Sequence, residues 1–226
     1  MKILFIVTYN TFEDYYMDGI HNLKNYINEH LTTHQVDIAC INSNGDFSDI
    51  ENILPLKYKL ANSRYQMDKI CDFINSHLLE YDWFIKTRPE MLILAPIDFS
   101  KLIPNAINAR ARTYTGSLKI ENGASVGGEG VSDVDVHDKK DIPFDLVMDD
   151  QIYIFDKNVI LNNGFAKIGD DEKQGFYSML PHHPKIQHEW FHTYIWAIRN
   201  IRMNIIGIKA CFKRNAHHGY YSGDIC

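Results

Sequence analysis

The amino-terminal segment constrains the fold more than any other part of the sequence. Residues Lys2–Thr8, KILFIVT, form an uninterrupted apolar and β-branched run, which is typical of a strand buried in a parallel sheet. Thr11 with Asp14 three residues on resembles a helix start, and apolar residues then recur at helical spacing. A second strand-like run follows at Val36–Ile41. Strand, helix and strand in this order predict a βαβ unit and therefore an α/β domain.

The next part of the chain is mixed in character. Asn42–Asp46 has the composition of a turn, and residues 45–62 show no pattern that assigns a helix or a strand. A capping box that begins at Ser63 predicts an amphipathic helix down to Leu79. Arg64 and Lys69 lie near the start of that helix, where they would face either water or a ligand.

A charged cluster, Lys86-Thr87-Arg88-Pro89-Glu90, separates the apolar runs Trp83–Ile85 and Met91–Leu94. Ligands of open α/β sheets bind just beyond the carboxyl ends of the strands. The cluster therefore predicts the binding site of a phosphate-bearing substrate. The alternative is a solvated turn between two strands of a hairpin, which Pro89 would suit.

Composition excludes several classes of protein. The chain has 226 residues, 45% of them hydrophobic, which is enough for one sizeable domain. A net charge of -6 argues against nucleic-acid binding. No apolar run approaches the length of about 20 residues that a membrane span needs, and the amino terminus does not resemble a signal peptide. We therefore expect a cytoplasmic protein whose four widely spaced cysteines are buried thiols.

The second half of the chain contains a long segment without periodicity. A strand is predicted at Arg110–Ile120 and a final strand at Met203–Phe212. Residues Glu121–Asp141 between them are rich in Gly, Ser and Asp, which indicates either a mobile lid over a site or disorder. This segment contains a DxD sequence at Asp133 and Asp135, although a solvated acidic loop would look the same.

Two adjacent acids interrupt a β-type run at Phe144–Phe155, FDLVMDDQIYIF. Asp149 and Asp150 point to opposite faces if the strand is regular, or into one concavity if it is bulged. A metal ion, a sugar hydroxyl or a salt bridge to a basic side chain would each account for them.

An HExxH sequence occurs at His188–His192. On a helix this spacing places two imidazoles on one face for zinc, with Glu189 as the base. The apolar stripe of the same helix runs through Trp190 and Tyr194, nearly opposite the histidines, and no glycine-and-histidine extension follows. A partly exposed polar face is therefore the favoured interpretation, and a zinc hydrolase is a minor alternative.

The order of these features resembles the small GT-A-type glycosyltransferases that use nucleotide-diphosphate sugars, especially those of large algal viruses and of bacterial capsule and lipopolysaccharide synthesis. The resemblance rests on Lys86, Arg88 and Glu90 after an apolar strand, and on Asp150-Gln151 before a later one. Glu90 stands where an aspartate is more usual. The resemblance implies a single domain with a Rossmann-like, mixed and mostly parallel sheet flanked by helices. Its nucleotide-binding half would be about residues 1–100 and its acceptor half about 101–226.

The resemblance also implies a site and its partners. The expected partners are a UDP- or GDP-type sugar donor, a glycan or glycoprotein acceptor and Mn²⁺ or Mg²⁺, and the enzyme would act in the host cytoplasm if a virus encodes it. The implied metal ligands are Glu90, Asp149 and His218; the implied acceptor base is Asp150 or, second, Glu189; the implied donor-binding residues are Thr8, Tyr9, Asn10, Arg64, Lys69, Lys86 and Arg88. The alternative from another class is a non-catalytic nucleotide- or carbohydrate-binding domain.

Overall fold

A mixed β-sheet runs through the described part of the chain. The computed structural model describes residues 1–61, 73–74, 76–113, 130–131, 134–136, 146–163 and 202–212. The strands are β1 Lys2–Thr8, β2 Gln35–Asn42, β3 Tyr58–Ala61, β4 Trp83–Thr87, β5 Met91–Ile93, β6 Ala106–Thr113, β7 Gly130–Val131, β8 Val134–Val136, β9 Leu146–Asp156, β10 Arg202–Ile205 and β11 Ala210–Phe212. The helices are α1 Tyr16–His30, α2 Ser48–Glu51 and α3 Lys157–Asn163, with 3₁₀ turns at Leu78–Glu80 and Phe99–Lys101.

The main sheet has the strand order β3-β2-β1-β4-β9-β6-β10-β8, with β7 also paired to β6. Strands β3, β2, β1, β4, β6 and β10 share one direction, whereas β9 runs antiparallel between β4 and β6. This arrangement confirms the predicted fold class, an α/β, Rossmann-like sheet that is mixed and mostly parallel. No helix in the described ranges is both long enough and apolar enough to cross a membrane.

The predicted βαβ unit is confirmed, but its helix begins later than predicted. β1 has the bounds read from the sequence, and its residues from Ile3 to Val7 are fully buried. The capping pattern at Thr11 and Asp14 does not start α1, which begins at Tyr16 without a side-chain cap. The intervening residues pack as an aromatic cluster instead, because the Phe12 ring lies edge-to-face against Tyr9 and Tyr16.

The segment that shows no sequence pattern contains α2 and the edge strand β3, which pairs parallel to β2. The turn predicted after β2 is present: Gly45 has φ of 76°, and its N–H donates to Asn42 Oδ1 at 2.7 Å. The residues of β3 alternate between half-buried and exposed. Because the strand has only four residues, this alternation is too short to identify a strand from the sequence.

The structure excludes the hairpin alternative for the charged cluster. β4 pairs with β1 and β9, whereas β5 leaves the main sheet and pairs with β11 in a separate two-stranded sheet. The prediction of one final strand at 203–212 is wrong for the same reason, since β10 and β11 belong to different sheets. Between them Ile208 N donates to Ile206 O at 2.8 Å, which closes a tight turn around Gly207.

The cysteine prediction is correct for one residue and wrong for another. Cys40 is a buried free thiol, and burial raises its pKa to about 12. Cys211 in β11 is disulfide-bonded and is not a free thiol. Spacing along the sequence does not show which cysteines meet in the fold.

Candidate functional site

The carboxyl ends of β1 and β4 lie side by side in the sheet. Their parallel register pairs Ile6 with Lys86 and Val7 with Thr87. Thr8 and the residues that follow it therefore emerge next to the charged cluster. Two separate stretches of predicted site residues meet at one edge of the sheet, which is where ligands of open α/β sheets bind.

The acid pair of β9 is placed at the same edge. In the antiparallel pairing of β4 with β9, Lys86 is opposite Tyr153, so the residues just before Tyr153 run past the carboxyl end of β4. The pairing of β9 with β6 is irregular at this point, because Ala109 is opposite Tyr153 but Ala111 is opposite Met148. Asp149 and Asp150 fall within this irregularity. The backbone thus departs from a regular strand where the sequence places its two carboxylates.

The charged cluster is buried to an unusual degree. Lys86, Thr87 and Glu90 are exposed by 6%, 2% and 1%, although charged side chains are rarely this inaccessible unless they are paired. Arg88 keeps 33% of its side chain exposed, and its Nε lies 2.7 Å from Glu90 Oε1. Lys86 Nζ lies 5.5 Å from the centre of the Tyr153 ring. A buried carboxylate thus holds a guanidinium that still reaches the surface.

The second oxygen of Glu90 is the unusual atom of the site. Within the described part of the chain, Glu90 Oε2 is buried and has no hydrogen-bond partner. Leaving such a group unsatisfied costs on the order of 1–3 kcal/mol, more for a charged one, and a bound ion or ordered water commonly partners an atom of this kind. Burial, and then the negative charge of Glu90, raise the pKa of the Tyr16 phenol.

Hard divalent cations prefer carboxylate oxygens, and Glu90 Oε2 is one such oxygen. Arg88 occupies Oε1 and so orients the carboxylate, while Oε2 remains for a further positive charge. Among the described residues, no group of three or more His, Cys, Asp or Glu side chains is placed to hold a metal ion. The other two implied ligands are Asp149, whose backbone lies in β9, and His218, which lies outside the described residues.

The residues at the end of β1 differ in their access to solvent. Thr8 and Tyr9 are exposed by 4% and 2%, whereas Asn10 is exposed. The Tyr9 hydroxyl accepts from Asn42 Nδ2 at 2.8 Å and donates to the Asp46 carbonyl at 3.2 Å. Tyr9 therefore supports the turn after β2. Its contact with a base or ribose stays a prediction, and only a small part of its surface is accessible for such a contact. Asn10 has the more accessible side chain.

Several predicted residues lie outside the described part of the chain. These are Arg64, Lys69, Glu189 and His218, the histidines of the HExxH sequence, His188 and His192, and the first acid of the DxD sequence, Asp133. The second acid, Asp135, lies in β8 opposite Asn204 of β10. The roles assigned to all of these residues stay predictions.

One functional candidate escaped the sequence analysis. Gly19 of α1 packs directly on the cluster, because a Cβ added to it would lie 1.8 Å from the Pro89 carbonyl oxygen. A glycine inside a helix costs about 1 kcal/mol relative to alanine. Its presence in an otherwise favourable helical sequence is the feature that could have indicated a close contact at this position. The sequence does not show what the glycine contacts.

Comparisons with known proteins give no family assignment. No family model and no curated protein sequence matches the chain. One similar solved structure is the WbbM bifunctional glycosyltransferase in its apo form, with a TM-score of 0.44 and 10% identity over 71% of this chain. Another is CMP:2-keto-3-deoxy-manno-octonic acid synthetase complexed with CTP, with a TM-score of 0.43 and 8% identity over 77% of this chain. The chain spans 32% of the first structure and 82% of the second.

Proposed function

We propose that the chain is a glycosyltransferase that moves a sugar from a UDP- or GDP-type donor to a glycan or glycoprotein acceptor with the help of Mn²⁺ or Mg²⁺. The observation that carries the proposal is the charged cluster at the junction of β1 and β4, where Arg88 is held by a buried Glu90 whose second oxygen has no partner among the described residues. A single edge thus offers positive charge for a diphosphate and a carboxylate for a cation.

Arg88 and Lys86 are assigned to the diphosphate. Arginine presents several N–H donors in a planar fork that matches phosphate oxygens. The exposed third of Arg88 reaches the surface of the edge while its Nε faces Glu90. Preorganisation by a buried carboxylate lowers the entropy lost when the guanidinium binds a ligand. Thr8, Tyr9 and Asn10 are assigned to the nucleoside because β1 ends beside this arginine.

Glu90, Asp149 and His218 are the residues assigned to hold the cation. When bound, a divalent cation neutralises the charge that develops on a diphosphate leaving group. The contribution of the chain is to present Glu90 Oε2 in a fixed orientation, which the Arg88 contact supports. Glutamate is longer than the more usual aspartate, so the backbone of the turn would lie further from the ion.

Asp150 is assigned as the base that takes the proton of the acceptor hydroxyl if the reaction inverts the sugar, with Glu189 as the second choice. The irregular backbone around Asp150 supports the first choice, since a bulged strand re-aims its side chains towards a site. On this assignment Asp150→Asn would bind the donor normally and fail to transfer the sugar.

The test is a thermal-shift panel of UDP-, GDP-, dTDP- and CMP-sugars, each with Mn²⁺, Mg²⁺ or EDTA. A donor at about 100 times its Kd should stabilise the chain by about 2.7 kcal/mol. We expect one nucleotide to stabilise it with the cation and not with EDTA. Arg88→Gln should lose this shift, and Lys24→Gln, at an exposed position of α1, should keep it.

Three other outcomes would contradict the proposal. Stabilisation by a nucleotide that is the same in EDTA would indicate the non-catalytic binding domain. The absence of any nucleotide shift together with one tightly bound zinc ion per chain would indicate a hydrolase at His188 and His192. The absence of both would leave the charged cluster without the proposed ligand and would refute the assignment.

A further inference from the structure

One face of α1 lies along the segment that follows β4. Gly19 faces the Pro89 carbonyl, Asn22 bonds to the backbone of Ile93, and the Tyr26 hydroxyl accepts from Ile97 N at 3.0 Å. These residues are three and four positions apart, which is the spacing of one helical face. The helix therefore contacts the chain from the charged turn through β5 and beyond it.

The contact at Gly19 leaves no room for a side chain. A Cβ would lie 1.8 Å from Pro89 O and 2.9 Å from Pro89 C, and real Cβ atoms essentially never approach other atoms within 3.0 Å. The clashing atoms belong to the backbone, so no side-chain rotation relieves the contact. An alanine at this position would have to push the turn or the helix away by at least 1.2 Å, the difference between 3.0 Å and 1.8 Å. The displaced residue, Pro89, lies between Arg88 and Glu90.

The contact at Asn22 fixes β5, the strand that follows the turn, along the helix axis. Its Nδ2 donates to Ile93 O at 3.2 Å and its Oδ1 accepts from Ile93 N at 2.6 Å. The side-chain amide thus satisfies both backbone groups of one β5 residue. Backbone groups that are buried without such a partner are costly, so sliding of β5 relative to the helix is opposed.

We infer that Gly19 and Asn22 are positioning residues of the proposed donor site. The helix begins shortly after the end of β1, where the nucleoside is assigned, and its packing sets the depth and register of the turn that carries Arg88 and Glu90. On this inference α1 fixes the position of the charged turn relative to the end of β1. This inference rests on the proposed function, because it concerns the geometry of the same site.

The experiment compares wild type with Gly19→Ala, Asn22→Ala and the control Asn25→Ala. Asn25 is exposed on the same helix, so the control changes helix propensity without touching the turn. Mn²⁺ affinity is measured from the electron paramagnetic resonance signal of free Mn²⁺, with UDP or GDP present, alongside the Tm of each variant. Loss of a supporting residue around a metal site typically weakens affinity by about 10–100-fold. We expect losses of this size in Gly19→Ala and Asn22→Ala and none in Asn25→Ala.

A merely structural role would lower the Tm and leave the Mn²⁺ affinity of the folded fraction unchanged. That result, in either Gly19→Ala or Asn22→Ala, would overturn the inference while leaving the proposed function intact. If Gly19→Ala does not fold, Asn22→Ala decides, because it removes a contact without creating a clash. Failure of wild type to bind Mn²⁺ with either nucleotide would overturn the proposed function and this inference with it.

Discussion

Replacing Glu90 with glutamine separates two roles that the structure gives to this carboxylate. Glutamine keeps the size of the side chain and an oxygen that can face Arg88, but it removes the negative charge. Glu90 is 1% exposed, its Oε1 lies 2.7 Å from Arg88 Nε, and its Oε2 has no partner among the described residues. The substitution therefore weakens one ion pair and replaces a buried, unpartnered carboxylate oxygen with a neutral amide nitrogen.

The two effects on the protein without a cation oppose each other. Arg88 is one-third exposed, so water can solvate it when the ion pair is weakened, and the loss is below the 3–5 kcal/mol typical of fully buried pairs. We expect the free energy of unfolding to change by less than about 1 kcal/mol, because burying a neutral amide costs less than burying a carboxylate and this difference offsets part of the loss. For a domain of this size 1 kcal/mol corresponds to about 2–4 °C in Tm.

The effect on the loaded protein should be larger. A cation and nucleotide at about 100 times their Kd stabilise the folded state by about 2.7 kcal/mol, which corresponds to roughly 5–11 °C in wild type. Glu90→Gln should lose most of that shift because its neutral amide, with the oxygen turned to Arg88, offers no carboxylate oxygen to a hard cation. The assay is differential scanning fluorimetry with Mn²⁺ and nucleotide or with EDTA, and Glu80→Gln serves as a matched control because Glu80 lies at the other end of β4. A full shift in Glu90→Gln would refute the assignment of this residue as a ligand.

Other regions of the structure give three further predictions. Burial raises the pKa of Asp37, but hydrogen bonds from Lys57 and Tyr81 outweigh it and hold the pKa below its ordinary value. The stability that Asp37 contributes is therefore present above about pH 4 and lost as the pH falls further. Asp37→Asn should make the urea midpoint of unfolding depend less on pH between about pH 5 and pH 3. An unchanged dependence would contradict this prediction. Cys40, with its pKa raised to about 12 by burial, should resist iodoacetamide at pH 8 until urea is added, as mass spectrometry would show; modification of the native protein would count against its burial. Asn108 is fully buried and makes three hydrogen bonds to the backbone of Ile103 and Ile154. Asn108→Ala should therefore lower the free energy of unfolding by about 2–3 kcal/mol, and a loss below about 1 kcal/mol in urea titrations would be inconsistent with that network.

Several features of the fold could be predicted from short stretches of sequence. The apolar run of β1 predicts its bounds because a strand buried on both faces has no polar interruption. The charged cluster at Lys86–Glu90 is identified because a buried strand rarely ends in several charges. The turn at Gly45 follows from turn chemistry alone. In each case the residues that decide the structure are neighbours in the sequence.

Other features depend on residues that are distant in the sequence. The start of α1 is set by aromatic packing between Phe12 and Tyr9, which overrides a favourable cap at Thr11. The division of the last predicted strand depends on β11 pairing with β5, which no periodicity within 203–212 reveals. The charged turn is packed against α1 through the contact of Gly19 with the Pro89 carbonyl, which joins residues far apart in the sequence. The sequence therefore proposes candidate residues for the site, but it does not predict their burial or their contacts with one another.

Sugar transfer is tested most directly by the release of nucleoside diphosphate from whichever donor stabilises the chain, measured with Mn²⁺ and a mixture of glycan acceptors. The account predicts release that depends on the cation and on the acceptor mixture and that falls about 100-fold or more in Asp150→Asn, since a general base contributes about 10²–10⁴-fold, while donor binding persists. Cation-dependent donor binding without release above the Asp150→Asn background would contradict it and would identify the chain as a binding domain.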